Sequence, residues 1–262
     1  MVLLINNFHM HTVRCHHAQG DDEEFVKAAI EAGFRKIGFS DHSPWPFENY
    51  VSPMRMTAGE LEEYVSSVLT LKEKYKDKIE ILLGLECEYF EEYIPWLCAM
   101  IEKYGLDYVI LGHHYSTREE GSAYNGNIKD KKDFAVFKNQ VIAAMESGLF
   151  SYVAHPDIFL KSYEGFDDAA EKTAREIIAK AIETDTPLEY NILGIHHGEN
   201  DGRPGYPHPE FWRVAGEMGA TAIIGIDAHK PEAYFEKELF KKSEKLLKDF
   251  GLNITDEIRT FK

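Results

Sequence analysis

Cysteine is scarce in this sequence, and long apolar runs are absent from it. Cys15, Cys87 and Cys98 are the only cysteines among 262 residues, too few for a disulfide framework, and their odd number argues against an oxidising compartment. No segment approaches the ~20 consecutive apolar residues of a membrane span, and the apolar run Met1 to Ile5 is too short for the core of a secretory signal. With 44% hydrophobic and 28% charged residues, the composition is typical of a soluble globular protein. We therefore expect a cytoplasmic protein that binds no membrane.

Basic residues are also in the minority. The sequence has 29 Lys and Arg against 45 Asp and Glu, a formal net charge of −16 with histidine neutral. A chain of this charge repels a polyphosphate backbone unless metal ions or a local basic patch reverse the field. We expect no nucleic-acid partner.

Histidine, by contrast, is abundant. The 12 histidines include four pairs that are adjacent or separated by one residue, namely His9/His11, His16/His17, His113/His114 and His196/His197. Imidazole is the commonest metal ligand among side chains. The positions of these residues in the fold therefore decide what the protein can do.

Apolar runs typical of strands alternate seven times with segments of helical period. The predicted strands are Val2 to Phe8, Lys36 to Ser40, Ile79 to Glu86, Asp107 to Leu111, Phe150 to Ala154, Pro187 to Ile192 and Thr221 to Ile226. The helices predicted to follow them are Asp22 to Ala32, Ala58 to Tyr75, Glu91 to Tyr104, Lys131 to Ser147, Phe166 to Thr184, Pro209 to Met218 and Glu232 to Phe250. This alternation predicts an α/β protein with a mainly parallel sheet inside a layer of helices, and seven units favour a barrel over an open sheet. No linker rich in Pro, Gly or Ser divides the chain, so we expect one domain over residues 1–262.

Glycines mark the predicted helix ends, at positions suited to a left-handed residue, and these are Gly33, Gly105, Gly148, Gly219 and Gly251. The stretches 116–129 and 194–209 have no regular period. We predict both as loops, long enough to be functional.

The residues that can bind metal follow the predicted strands. At or just after the strand ends come, in chain order, His9, His11, His16, His17, Asp41, His42, Glu86, Glu88, His113, His114, His155, Asp157, Glu189, Asn191, Asp227 and His229. In parallel barrels this end carries the active site, because the βα loops converge there. About nine ligands are too many for one tetrahedral ion and enough for two or three divalent ions. A lone histidine could equally be a buried core residue, but so many on one rim favour a metal centre.

The segments FHMHTVRCHHA, GFSDHS, GLECEY, LGHHY, AHPD and GIDAH occur in this order along the whole chain. As a set they resemble the polymerase and histidinol phosphatase (PHP) superfamily, in particular its histidinol-phosphate phosphatase branch. The resemblance implies a distorted seven-stranded TIM-like barrel, written (βα)7, with a trinuclear metal centre. The ligands that it implies are His9, His11, His17, His42, Glu86, His114, His155, Asp227 and His229. Of these, Glu86, Asp227 and His229 are also assigned to catalysis, while His16 and His113 are expected to be bystanders.

The reaction expected of such a centre is the hydrolysis of a small phosphorylated substrate. A metal-bridged hydroxide attacks phosphorus while the ions neutralise the phosphate oxygens. The resemblance makes L-histidinol phosphate, a metabolite of histidine biosynthesis, the expected substrate. Two alternatives stay open: another small phosphate such as a nucleotide or sugar phosphate, and a binding module with structural metals. Zinc, manganese and iron all accept these ligands, so the metal is left open, as is the oligomeric state.

Side chains in the βα loops are candidates for holding the phosphate group, namely Arg14, Arg55, Lys161, His196 and Arg203. The PMRM segment around Arg55 looks like one in the family, Lys161 follows the AHPD motif, and His196 stands near a place where the family often has arginine. For Arg14, Arg55, Lys161 or Arg203 taken alone, a solvated surface charge is the commoner case. The acid for the leaving group is left among a ligand, His196 and His197. The loop with Trp45 is predicted either to cover the site or to pack against the rim.

Overall fold

The structure, a computed structural model, describes residues 5–202 and 205–261. Its strands form two parallel sheets. The four-stranded sheet contains, in order, β1 (Asn6–Asn7), β2 (Lys36–Phe39), β3 (Glu80–Cys87) and β4 (Tyr108–Leu111). The three-stranded sheet contains β5 (Leu188–Asn191), β6 (Thr221–Gly225) and β7 (Asn253–Thr255). Every paired strand is parallel to its neighbour, as the βα alternation predicts.

Single bridges connect the two sheets on both sides. Val153 bridges Leu111 at the end of β4 and Leu188 at the start of β5, and Met10 bridges Ala228 after β6. The predicted strand over 150–154 is therefore present only as an extended segment with isolated bridges. The result is a curled parallel sheet in two parts, of four and three strands, and the distorted seven-stranded (βα)7 barrel stays a prediction. Of the two terminal strands, β7 was not predicted, and the predicted start of β1 at residues 2–4 lies outside the described residues.

The helices are α1 (Asp22–Ala32), α2 (Leu61–Tyr75), α3 (Ile94–Tyr104), α4 (Phe134–Glu146), α5 (Asp168–Glu183), α6 (Ile192–Asp201), α7 (Pro209–Met218) and α8 (Lys237–Asp249). The predicted bounds of α1 and α7 are confirmed. At α1 the reason is local, since Asp21 and Glu24 form a capping box and Gly33 ends the helix in a left-handed conformation. The other predicted helices lose residues at their first turn, where α3 and α4 are each preceded by a short 3-10 turn.

Helix α6 contradicts the prediction of a loop over 194–209. The Asn191 side chain caps it by accepting a hydrogen bond from the Gly194 amide at 2.8 Å, and Gly202 ends it with a φ of 66°. A side chain at position 194 would not fit, because an added Cβ would lie 2.4 Å from the Tyr206 carbonyl oxygen. His196 and His197 therefore lie on a helix.

A small cluster of apolar side chains fills the inside of the curled sheet. Its buried members are Phe8, Leu82, Tyr108, Ile110, Tyr152, Ala154 and Ile223, contributed from all around the sheet. The Tyr108 side chain fits because its neighbours are glycines: an added Cβ at Gly38 would lie 2.1 Å from its hydroxyl oxygen, and one at Gly84 would lie 2.5 Å from its ring. A larger cluster lies between the sheets and the helices.

Residues 256–261, here called the C-terminal strap, cross the end of the sheets where the strands begin. The Asn6 side chain donates to the Asp256 carbonyl at 2.8 Å, and the Phe261 amide donates to the Asp107 carbonyl at 2.9 Å. Ser151 donates to the Arg259 carbonyl at 2.6 Å. The strap thus contacts elements of the four-stranded sheet and the segment beside it. Within the residues described, no helix has the length and apolar character that a membrane crossing requires.

Candidate metal centre

The nine predicted ligands come together at the end of the sheets opposite the C-terminal strap. Ligand atoms within 4.8 Å of one another form five overlapping groups: His11/Cys15/His229, His17/His42/His229, His9/His11/Glu86, His9/His155/Asp227 and His42/Glu86/His114. Each predicted ligand belongs to at least one group. Among the described residues, His16 and His113 belong to none. Cys15 belongs to one of the groups, and its Sγ accepts a hydrogen bond from the Ala18 amide at 3.2 Å.

Glu86 lies at the centre of the cluster. Its Oε1 is 3.0 Å from His155 Nε2, 3.4 Å from His9 Nε2 and 3.6 Å from His114 Nε2. Its Oε2 is 3.0 Å from His42 Nδ1 and 3.4 Å from His11 Nε2. The two oxygens thus face different sets of rings, which is the geometry that a carboxylate needs to bridge two cations.

Asp227 faces the same rings from the other sheet. Its Oδ1 is 3.1 Å from His11 Nε2 and 3.4 Å from His9 Nε2. The backbone of Asp227 has a φ of 56°, and that of His155 has a φ of 32°. Positive φ values are strained for residues with a side chain and concentrate at functional sites. In both cases the residue with positive φ lies where an extended segment ends, and its side chain enters the cluster.

Carboxylates outside the cluster hold the far nitrogen of several rings. Glu189 lies 2.7 Å from His9 Nδ1 and Glu88 lies 3.2 Å from His114 Nδ1, both within hydrogen-bond distance, whereas Asp41 faces His11 Nδ1 from 3.6 Å. Backbone carbonyls do the same elsewhere, since the oxygen of Cys15 lies 2.6 Å from His17 Nδ1. Such partners fix the tautomer, so that the other ring nitrogen offers its lone pair to a metal. All three carboxylates stand at strand ends among the residues that can bind metal, but their positions in the sequence did not indicate that they orient other ligands.

Charge and burial suit the cluster to cations. Burial raises the pKa of the Glu86 carboxyl, but the imidazoles of His114 and His9 outweigh burial and hold that pKa well below its usual value. Burial and the neighbouring His11 lower the pKa of His229 to about 4, so this ring is neutral, as a metal ligand must be. Among buried polar atoms without a hydrogen-bond partner are Glu86 Oε2 and Asp227 Oδ1. Buried oxygens of this kind need a partner, and divalent ions fit them and the surrounding imidazoles.

A cavity of about 420 Å³ opens onto the cluster. Besides eight of the nine predicted ligands, it is lined by Met54, Tyr124, Leu193, His197 and Tyr206. The Tyr124 ring stacks on His114 at a centroid distance of 6.1 Å, and Lys161 Nζ lies 5.3 Å from the centre of the same Tyr124 ring. Lys161, a predicted phosphate-binding residue, thus lies close to the cavity wall.

Two predicted phosphate-binding arginines are committed to carboxylates instead. The Arg14 guanidinium binds Asp22 at 2.9 Å and Glu63 at 2.8 Å. The Arg55 guanidinium is buried between Glu88 and Glu119, at 2.8 and 2.9 Å. A guanidinium surrounded in this way has little capacity left for a phosphate group. Three of the four acceptors, Glu63, Glu88 and Glu119, come from distant parts of the chain, so their pairing with the arginines could not be predicted from the sequence.

The histidine pair on α6 divides between two cavities. His197 lines the main cavity, with Nδ1 3.2 Å from the Tyr206 hydroxyl. His196, the predicted phosphate-binding residue, lies 2.7 Å from Glu236 and lines a neighbouring cavity of about 250 Å³. Arg203 lies outside the described residues. The structure therefore places His197 in the main cavity, whereas His196 lines a second cavity that the predicted ligands His17, Asp227 and His229 also line.

The loop after β2 packs against the rim. Trp45 is 4% exposed, and its ring lies 5.4 Å from that of Phe90 and 5.9 Å from that of Trp96. Its indole nitrogen donates to Glu88 at 2.8 Å. Of the two predicted roles for this loop, packing is the one that Trp45 adopts.

Comparisons with known proteins agree on one family. Residues 7–193 match the family model described as PHP domain. A probable histidinol-phosphatase of Schizosaccharomyces pombe is 34% identical over 244 residues, covering 83% of this chain and 78% of that protein. A probable histidinol-phosphatase of Deinococcus radiodurans is 27% identical over 249 residues, covering 93% and 92%.

The fold has relatives among solved structures as well. The histidinol phosphate phosphatase of Lactococcus lactis, solved in complex with zinc, L-histidinol and phosphate, superposes with a TM-score of 0.73 at 18% sequence identity. The match covers 98% of this chain and 99% of that one. At this identity the likeness concerns the fold.

Proposed function

The chain belongs to the PHP domain family, and on that premise we propose that it is a metal-dependent phosphomonoesterase that hydrolyses L-histidinol phosphate to L-histidinol and phosphate. The observation that carries the proposal is the convergence of five imidazole rings on the two oxygens of Glu86, beside a cavity of about 420 Å³. The relatives named histidinol-phosphatase support the choice of substrate.

The proposed ligands of two or three divalent ions are His9, His11, His17, His42, Glu86, His114, His155, Asp227 and His229. Zinc, manganese and iron are all compatible with this donor set. When bound, such ions supply Lewis acidity, which activates water as a nucleophile and neutralises charge on phosphate oxygens. The chain itself carries a net charge of −16 and would otherwise repel a phosphate group.

The chain's own residues orient the ligands and handle protons. Glu189 holds the His9 ring, and its other oxygen accepts hydrogen bonds from the His155 amide at 3.0 Å and from Asn191 at 2.9 Å. At the cavity wall, His197 would give a proton to the oxygen of the leaving alcohol, which must be protonated as the bond to phosphorus breaks. Lys161, beside Tyr124, would add positive charge near the phosphate group.

We further propose that residues 1–262 form one domain in which the two sheets act as a distorted seven-stranded (βα)7 barrel. The bridges of Val153 and the Met10–Ala228 bridge support this. They place an extended segment between β4 and β5 and join the remaining edges near the metal centre.

A substrate panel with metal analysis of the same preparation tests the function. We expect kcat/KM to be highest for L-histidinol phosphate and activity to disappear on exhaustive chelation and return with divalent metal. If kcat/KM for a nucleotide or sugar phosphate exceeds that for L-histidinol phosphate by more than about 100-fold, the proposed substrate is wrong and the proposed reaction still holds. Full metal content without hydrolysis of any phosphomonoester would instead identify a binding module.

A further inference from the structure

A buried cluster of charges lies beside the metal centre without touching the cavity. We call it the Arg55 cluster, and it consists of Arg55, Glu88 and Glu119. The side chain of Arg55 is 1% exposed, that of Glu88 is 1% exposed and that of Glu119 is 3% exposed. Buried charges are costly unless they are paired and hydrogen-bonded, so the partners of each group indicate what the cluster is for.

Arg55 uses its whole guanidinium inside the cluster. Its Nε donates to Glu119 at 3.0 Å, and its Nη2 donates to Glu88 at 2.8 Å and to Glu119 at 2.9 Å. Its Nη1 donates to Glu88 and to the Ser43 carbonyl, both at 3.0 Å. An arginine has five N–H donors, and these contacts account for all of them. A phosphate group could be bound by Arg55 only if this pairing were broken.

Glu88 connects the cluster to a predicted metal ligand. Its Oε1 accepts from Arg55 and lies 3.2 Å from His114 Nδ1. Its Oε2 accepts from the Trp45 indole at 2.8 Å and from Arg55 at 3.0 Å. Arg55 and Trp45 thus fix both oxygens of the carboxylate that orients the His114 ring. The opposite nitrogen of that ring, Nε2, faces Glu86.

Glu119 connects the cluster to the loop that forms one wall of the cavity. It belongs to residues 116–124, which end at Tyr124, and Tyr124 stacks on the His114 ring with an angle of 13° between the planes. Arg55 is therefore linked to His114 in two ways. Glu88 contacts the edge of the His114 ring, and the loop that contains Glu119 positions Tyr124 on the face of that ring.

We propose that Arg55 is a positioning residue of the metal centre, which fixes the orientation of His114 through Glu88 and fixes the cavity wall through Glu119. The proposal rests on the proposed function only in taking His114 as a metal ligand, and it is independent of the identity of the substrate. Partners of metal-binding histidines are typically worth 10- to 100-fold in metal affinity or activity. Lysine cannot replace Arg55, because one ammonium group has three donors and lacks the planar fork that holds two carboxylates.

The test uses Arg55→Lys and Glu119→Gln in the full chain, with Glu120→Gln as the matched control. Glu120 neighbours Glu119 in the same loop, but its side chain is 56% exposed. Each protein is equilibrated against a fixed chelator concentration, its metal content is measured by mass spectrometry, and the absorption spectrum of its Co²⁺ form is recorded. These readouts report ligand geometry without substrate, and kcat and KM are measured separately on the metal-loaded proteins.

For Arg55→Lys and Glu119→Gln we expect at least a tenfold loss of affinity for one metal ion and a changed Co²⁺ spectrum, with Glu120→Gln like the wild type. In the metal-loaded variants kcat should fall by a larger factor than KM rises.

Unchanged metal affinity and spectrum, with KM alone raised tenfold or more, would overturn the proposal and identify Arg55 as a substrate-binding residue. If Arg55→Lys does not fold, Glu119→Gln decides, because it leaves Arg55 its bonds to Glu88. If the wild-type protein binds Co²⁺ normally but has no phosphatase activity, the proposed function is wrong, while the positioning role of Arg55 is still decided by the metal affinities and spectra of the variants.

Discussion

Glu86 occupies the position where a single side chain can serve two cations. Two imidazoles lie within 3.0 Å of its oxygens, one on Oε1 and one on Oε2. Glutamine at this position keeps the size of the side chain but replaces one charged oxygen with an amide nitrogen, which donates and cannot bind a cation. The residue is therefore the most direct test of a centre with more than one metal ion.

We expect Glu86→Gln to lose at least one metal ion and about 10²-fold or more in kcat, because the nucleophile and its electrostatic stabilisation both depend on paired ions. Metal analysis and steady-state kinetics measure the two effects. Glu80→Gln is the matched control, since Glu80 is exposed at the other end of the same strand. If Glu86→Gln keeps its full metal content and a kcat near the wild-type value, Glu86 does not bridge two ions.

The division of the α6 histidines makes a second prediction at this scale. We expect His197→Asn to reduce kcat about 10²-fold, since His197 lines the cavity of the metal centre. His196→Asn should leave kcat near the wild-type value, since His196 faces the neighbouring cavity and pairs with Glu236. Kinetics on L-histidinol phosphate compare the two variants directly. A larger loss from His196→Asn would restore the assignment made from sequence.

Residue type and position in the sequence were informative together for the proposed ligands. Imidazoles and carboxylates at strand ends, together with the ordered motifs, predict nine ligands, and the structure brings these nine side chains close to one another. For Arg55 they were not informative, because its burial and pairing depend on residues 33 and 64 positions away. A charged residue in a loop looks the same in sequence whether it faces solvent or two buried carboxylates.

Glycines at the ends of β4 and β6 make room for the carboxylates of the site. An added Cβ at Gly112 would lie 1.9 Å from Glu86 Oε1, and one at Gly225 would lie 1.8 Å from Glu189 Oε1. Contacts this short are impossible, so the carboxylate or the strand would have to move. The sheet thus allows a central carboxylate because the neighbouring strand ends in a residue without a side chain.

We expect Gly112→Ala to displace Glu86 and lower both metal content and kcat, by about as much as Glu86→Gln does, about 10²-fold in kcat. Metal analysis after dialysis and circular dichroism would separate a displaced ligand from a misfolded chain. Gly59→Ala serves as the control, since an added Cβ there meets only the Thr57 side chain at 3.8 Å. Wild-type metal content in Gly112→Ala would mean that Glu86 can take another position.

Elements with local signals were predictable, and elements defined by the tertiary structure were not. Capping residues and a terminal glycine set the bounds of α1. Helix α6 was predicted as a loop because its sequence, ILGIHHGEND, contains glycines and polar residues that disfavour a helix by propensity. It forms because Asn191 caps it and Tyr206 packs against Gly194, and the second of these contacts comes from outside the helix. The segment 150–154 has strand composition, but it forms only isolated bridges.

At the scale of the whole molecule, the proposed ligands come from both sheets. His9, His11 and Glu86 belong to the four-stranded side, while Asp227 and His229 follow β6 of the three-stranded side. Ions held between them would stabilise the folded state, because the unfolded chain cannot present these ligands together.

We expect chelation to lower the Tm by about 5–10 °C. This follows from about 2.7 kcal/mol for one ion at 100 times its Kd and about 2–4 °C per kcal/mol for a chain of this size. Calorimetry with and without chelator measures the shift. In Glu86→Gln the same treatment should change the Tm less, since less metal is bound to begin with. An equal shift in both proteins would mean that the stabilising ions bind elsewhere.

The C-terminal strap covers the end of the molecule where the strands begin, far from the metal centre. We therefore expect the hydrogen bonds at the two ends to open independently of each other. The Phe261 amide donates to the Asp107 carbonyl at 2.9 Å and reports opening at the strap, whereas the Ala228 amide donates to the His9 carbonyl at 3.1 Å and reports opening at the metal end. Amide protons exchange with deuterium only when their hydrogen bonds open. We expect added divalent metal to slow exchange at Ala228 much more than at Phe261, as followed by NMR. Equal slowing at both amides would instead mean that the molecule opens only as one cooperative unit, so that the strap and the metal centre are exposed in the same unfolding step.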